Sequence, residues 1–264
     1  MKPVVARAVH ANAGTQARYR RALIAAISEM VAEVESVVKE QAESEPPVLA
    51  EDASPAIQMR DRLMAISGQW KKRFDKMAEK VATEFLRQSF HGTDWAMRQA
   101  LKSAGWSVEF TMTPAMRDAF EASLAENVGL IRSIPEKYLQ EVQGIVMRSY
   151  STGRDLHTMT RELKTLYPKV KERADLIARD QSNKANAVVQ RARQKELGIK
   201  QAIWMHSHAG REPRPTHVAM NGKRYDIEKG MYDSEVKTFV LPGELVNCRC
   251  TSRSVLPWTP AVNS

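Results

Sequence analysis

The sequence predicts a mainly α-helical protein, a helical body of about 200 residues followed by a small α+β or β-rich C-terminal module. Three observations carry that expectation. Aromatic residues make up only 6% of the chain, whereas Met (13 residues) and Ala are plentiful. Such a mix favours helix, because Ala and Met lose little freedom there while strands draw on aromatic and β-branched side chains. Apolar positions recur at three- and four-residue spacing as far as Leu197, and after Gly198 they give way to Gly, Pro and Asn punctuation with short alternating runs.

Residues 1–22 read as a basic arm, with Lys2, Arg7, Arg18, Arg20 and Arg21 and no acidic residue, hence +5. Residues 23–144 read as a helical region. Leu23, Ile27, Met30, Val34 and Val37 share one helical face, and the run from Glu43 to Pro55, with adjacent prolines, breaks that helix. A second helix is expected over about 56–89, with Ile57, Leu63, Ile66, Trp70, Phe74, Met77, Val81 and Phe85 on its stripe. Shorter helices are expected at about 93–103, 114–132 and 136–149, separated by His91-Gly92 and by Ser133-Ile134-Pro135.

A third region is expected at 145–258. Tyr150 to Asp155 reads as a turn that opens a helix ending near Tyr167-Pro168, and a further helix covers about 169–196. Leu197-Gly198 is its stop. In the hairpin module at 200–258, Asn221-Gly222 between two short runs predicts a hairpin turn with positive φ at both central positions. Leu241-Pro242-Gly243 marks another turn. No internal repeat is visible.

With 43% hydrophobic and 27% charged residues, the 264-residue chain is ordinary for a soluble protein of one large or two modest domains. Net charge is +9, and residues 145–200 hold 13 basic against 6 acidic residues, hence +7. A localised excess of this kind suits contact with phosphate or an acidic partner surface, and a solvated helix face plus a loose terminus fits the charge equally. No apolar run approaches the roughly 20 residues that span a bilayer, so no membrane partner is expected. The N-terminus also lacks a signal-peptide core, which predicts a cytoplasmic protein at synthesis.

The last sixty residues concentrate the metal-ligand chemistry. His206, His208 and His217 lie within twelve positions, and both cysteines follow as Cys248-Arg249-Cys250. Imidazole and thiolate are the donors that tetrahedral zinc prefers, which makes His208, His217, Cys248 and Cys250 a candidate structural zinc set. The competing reading leaves the histidines exposed on loops and the thiols packed as small hydrophobes. A disulfide within Cys-x-Cys closes a strained ring, so reduced thiols are expected. Asp180, on a helix beside Arg179 and Lys184, reads as an ion-pairing or capping residue. There is no phosphate loop, no nucleophile elbow and no His-Glu-x-x-His helix, and the chain reads as a non-enzyme.

Several of these pieces stand in a familiar order. Ala174 to Ala187, Gln194 to Ile199, Trp204, Arg211 to His217, Met220-Asn-Gly-Lys223 and Asn247-Cys-Arg-Cys250 together resemble the Mu-F-like phage head-morphogenesis family over roughly residues 145–255. The resemblance implies a minor head protein of a tailed phage. Such a protein associates with the portal vertex and with major capsid or scaffold proteins, and aids assembly or DNA packaging and ejection. It places the chain in the virion head, and in the host cytoplasm during assembly. It also makes the basic residues Arg7, Arg18, Arg20 and Arg21 candidates for portal or non-specific DNA contact. The competing class is a zinc-dependent nuclease or hydrolase. One departure bears on the metal: relatives carry Cys-x-x-Cys and His-x-x-Cys-x-Cys, where this chain has Arg214, His217 and Leu245, so His206 or His208 would have to substitute.

Overall fold

The computed structural model describes residues 3–44, 54–152, 156–208 and 212–257. Five helices are followed by a small strand-containing region, as the sequence predicts. The helices are α1 (Ala13–Ser44), α2 (Pro55–Lys102), α3 (Pro114–Ser151), α4 (Leu156–Lys164) and α5 (Leu166–Glu196). A short helix α6 (Pro215–Met220) lies among the strands. The chain forms two compact units, one of residues 18–82 and 126–177, the other of 1–17, 83–125 and 178–264.

In the first unit the predicted stripes are the buried faces. Leu23, Ile27, Met30 and Val34 of α1 are fully buried, and so are Ile66, Trp70 and Phe74 of α2, or nearly so. Ile57, expected on the stripe, is 43% exposed. Buried Tyr19 donates its hydroxyl hydrogen to Asn127 Oδ1 at 3.0 Å, and Arg20 pairs with Asp175 at 2.6 Å.

The helix ends follow local chemistry. Asn12 caps α1 by accepting the Thr15 N–H at 3.0 Å, and Thr113 caps α3 ahead of Pro114. Gly198, at φ +66, closes α5, with the Ile199 N–H donating to the Gln194 carbonyl at 2.9 Å.

Two expected breaks do not occur. α2 runs through His91-Gly92, because Phe90, Thr93 and Met97 continue its buried face and outweigh the roughly 1 kcal/mol that a helical glycine costs. α3 runs through Pro135, carried by buried Ile131, Ile134, Tyr138 and Val142. The break expected near Tyr167-Pro168 falls at Thr165, between α4 and α5; Pro168 itself sits in the first turn of α5, where its missing N–H has no intrahelical partner to lose. Most of the expected breaker at 43–55 lies outside the described residues.

Residues 1–22 are no loose arm where they are described. Strand β1 (Val4–Val5) pairs antiparallel with β6 (Thr251–Leu256), and Ala6 and Val9 are buried. The Val9 carbonyl accepts hydrogen bonds from Asn186 (3.2 Å), Gln190 (3.0 Å) and Thr251 (2.7 Å). The apolar residues of the segment decide its placement, while Arg7, Arg18 and Arg21 stay exposed.

The C-terminal strands form an antiparallel sheet ordered β1-β6-β2-β3, with β2 at Gln201–Met205 and β3 at Arg224–Asp226. A separate hairpin joins β4 (Met231–Asp233) to β5 (Thr238–Val240). Asn221-Gly222 does not turn a hairpin. Val218–Met220 belongs to α6, Asn221 has φ −53 and Gly222 alone is positive at +76, which is a type II turn linking α6 to β3. Leu241–Glu244 is the expected turn, with Gly243 at φ +81.

Candidate metal centre and the cavity beside it

Three of the proposed ligands converge. His217 is carried on α6, while Cys248 and Cys250 stand just before β6, and all three are buried. His217 Nδ1 lies 3.5 Å from Cys248 Sγ and 3.6 Å from Cys250 Sγ. Zinc–nitrogen and zinc–sulfur bonds at a tetrahedral angle separate the two donors by about 3.6 Å. The donor set therefore has the spacing that a shared zinc requires. Both cysteines are free thiols, as expected.

The surroundings favour thiolate. Hydrogen bonding with the Cys250 thiol, with His217 and with the N–H groups of Cys250 and Gly243 pulls Cys248 well below the usual thiol range, against its burial. Its hydrogen bond with Cys248 and burial push Cys250 the other way. One proton shared between two sulfurs is what a cation would displace. On the far side of the ring, His217 Nε2 lies 3.2 Å from Asp233 Oδ2, whose residue is fully buried. The pair is close but not aligned as a hydrogen bond, and among the described residues neither atom has a hydrogen-bond partner. Burial would raise Asp233, yet the Glu235 N–H, the Thr216 hydroxyl and His217 hold it below the usual carboxylate range. With a cation on the sulfurs, a carboxylate there would hold the proton on Nε2 and turn the Nδ1 lone pair toward the ion, the orienting role seen behind metal-bound histidines.

Nor does the competing reading of the thiols fail outright. Cys248 and Cys250 belong to a cluster with Ala202, Trp204, Met220, Tyr225, Ile227 and Val240, so they also pack as small apolar groups. The Trp204 ring meets His217 edge-on at 5.1 Å. His208 is not brought in: it is exposed at φ +51, with its N–H donating to His206 Nδ1 at 3.1 Å. Half-buried His206 instead lines a cavity of about 740 Å³ that His217, Cys248 and Cys250 also line.

Asp180 and Lys184 form the expected ion pair at 3.2 Å, and Asp180 also accepts the Asn247 N–H at 2.6 Å. Arg179 donates to Asn247 Oδ1 at 3.0 Å. Two adjacent residues of α5 thus hold the turn, with Asn247 at φ +60, that presents the cysteines. Sequence reasoning missed Asp233, whose place sixteen residues past His217 carries no spacing signal. It also missed the buried amides of Asn186, Gln190 and Gln194, which recur every four residues along α5 and were visible as a polar stripe.

Helical bulk, a small antiparallel sheet and a stapled Cys-x-Cys loop define the class: an α-helical protein with a compact His/Cys module. Residues 140–253 match the phage Mu protein F like family, to which that region of the chain is similar. An uncharacterized protein of Haemophilus influenzae Rd is similar, 34% identical over 144 residues, which is 54% of this chain. The match spans 31% of that protein's length, under a third of it. No solved structure matches the chain. No helix among the described residues is long and apolar enough to cross a membrane.

Proposed function

We propose that the chain is a minor head protein of a tailed phage, structural and not enzymatic, which assembles at the portal vertex with portal, major capsid or scaffold proteins. The observation that supports this is the family match over residues 140–253, a family of head-morphogenesis proteins. The exposure of Arg7, Arg18 and Arg21 suits non-specific contact with packaged DNA or an acidic partner; half-buried Arg20 pairs with Asp175. Quantitative mass spectrometry of purified, DNA-filled particles tests the assignment. A few copies per portal ring are expected, and absence from particles despite expression during infection would sink it.

Within the module, His217, Cys248 and Cys250 would hold zinc, with His206 or water completing the set. The ion would supply a cross-link between α6 and the loop before β6, in a module too small for a deep apolar core. Asp233 orients His217, and Gly243 donates its N–H to Cys248 Sγ at 3.3 Å.

A zinc-dependent nuclease or hydrolase is the second reading, favoured by one feature: three converging donors, not four, beside a cavity. Exposed Glu212 is the lone carboxylate on that cavity's described wall. Incubating the zinc-loaded full chain with plasmid DNA and casein separates the readings. Cleavage lost in His217→Ala would favour the enzyme; intact substrates fit the head protein.

A further inference from the structure

Zinc on His217, Cys248 and Cys250, whose ligand atoms lie within 4.8 Å of one another, has one coordination position left to fill. The sheet points to what fills it. Trp204 pairs with Ser252 and Met205 with Thr251, so the next step of the register sets His206 opposite Cys250. Side chains directly opposite share a face, with Cβ atoms about 5 Å apart. Alternate residues of a strand repeat that face, which puts His206 on the same side as Trp204. This is the side that carries the site, since the buried Trp204 ring meets His217 edge-on at 5.1 Å. The backbone around His206 is tied to the elements of the other donors. Its N–H donates at 3.0 Å to Oδ1 of Asn221, the residue that ends α6, the helix of His217. The following Ser207 N–H is hydrogen-bonded to the Cys250 thiol. His206 also shares the lining of one cavity with all three donors.

We propose that His206 is the fourth ligand and closes the site as a two-histidine, two-cysteine tetrahedron around zinc. The inference rests on the zinc reading above and puts His206, not water, at its open position. His206 Nδ1 accepts the His208 N–H at 3.1 Å and stands outside the group of three. That hold is weak. The bond lies at exposed His208, whose φ of +51 is a left-handed conformation that side chains disfavour. One exposed hydrogen bond is worth far less than a bond to zinc, so the ring would exchange the N–H for the ion. Four protein ligands leave no position for an attacking water, which is the arrangement of structural and not of catalytic zinc.

Cobalt(II), whose visible bands report coordination number, replaces zinc in the test. The reduced, zinc-free full chain is titrated with cobalt(II) and followed by visible absorption. Wild type should show a thiolate-to-cobalt charge-transfer band and the intense d–d bands of a tetrahedral ion. His206→Ala should keep the charge-transfer band but lose most of the d–d intensity, as water raises the coordination number. It should also bind at least about tenfold more weakly. Added imidazole should restore the d–d bands of this variant, and His208→Ala should match wild type. Should thermal melts find His206→Ala unfolded, His206→Phe keeps a ring without a donor and carries the comparison. Wild-type bands and affinity in the His206 variant, or the same losses in His208→Ala alone, would overturn the assignment while leaving zinc in place. Absence of the charge-transfer band from wild type would remove the zinc reading itself, and the fourth ligand with it.

Discussion

The helical unit of residues 18–82 and 126–177 and the C-terminal module of residues 199–257 stay folded by different means. The helical unit spreads its stability over long apolar stripes, and its ion pairs, such as Arg73 with Glu33, lie on exposed surface where they contribute little. The module has strands of three to six residues and a small cluster, so it depends on a few polar contacts: buried His217 beside buried Asp233, and the Asn247 N–H on buried Asp180. Loss of one contact in the helical unit should therefore be shared among many neighbours. In the module it should remove a whole turn.

The largest effect expected is at the cysteines. Cys248→Ser or Cys250→Ser should abolish zinc retention, read by elemental analysis of protein purified from zinc-supplemented cells. The module should then lose about 5 kcal/mol or more, with hydrogen exchange accelerating across 212–257 while the helical unit keeps its protection. Zinc-free wild-type protein with an unaltered melt would remove the contrast. Next comes Trp70→Ala in the helical unit, where Trp70 is 2% exposed and packs against Phe74. A loss of about 3–5 kcal/mol is expected in denaturant unfolding, with metal content unchanged.

A smaller effect belongs to Gly243→Ala. Its φ of +81 disfavours a side chain, and an added Cβ would stand 2.8 Å from the Ala187 Cβ on α5. A cost of about 1–3 kcal/mol, confined to the module, should appear as faster exchange at residues 241–250.

The smallest is pH-linked and falls in the helical unit. Burial raises Tyr19 above its ordinary value of 10, so the folded state holds a proton that the unfolded chain releases. Its contribution is complete below pH 10 and declines as pH rises above that value. Tyr19→Phe should flatten this alkaline loss while costing about 1 kcal/mol at neutral pH, through the hydrogen bond lost to Asn127. A variant with the same alkaline slope as wild type would remove Tyr19 from the account.

Legibility in the sequence follows the range of the forces involved. The stripes of α1 and α2, the Gly198 stop and the turn at Pro242-Gly243 rest on contacts a few residues apart, and spacing with backbone preference displays them directly. The same local signals misled at Gly92 and Pro135, where packing of flanking apolar residues outweighed a local penalty of a few kcal/mol. His217, Cys248 and Cys250 were legible as donor types, but not which histidine would join them. His208 sits nine residues before His217 and is left outside, because the α6 turn and the Asp180–Asn247 bond aim one ring and not the other. The Val9 carbonyl meets Asn186 across 177 residues of chain, and Arg179 meets Asn247 across 68. Pairings of that length are paid in loop-closure entropy and recovered only when the whole unit has folded, so no local pattern along the chain announces them.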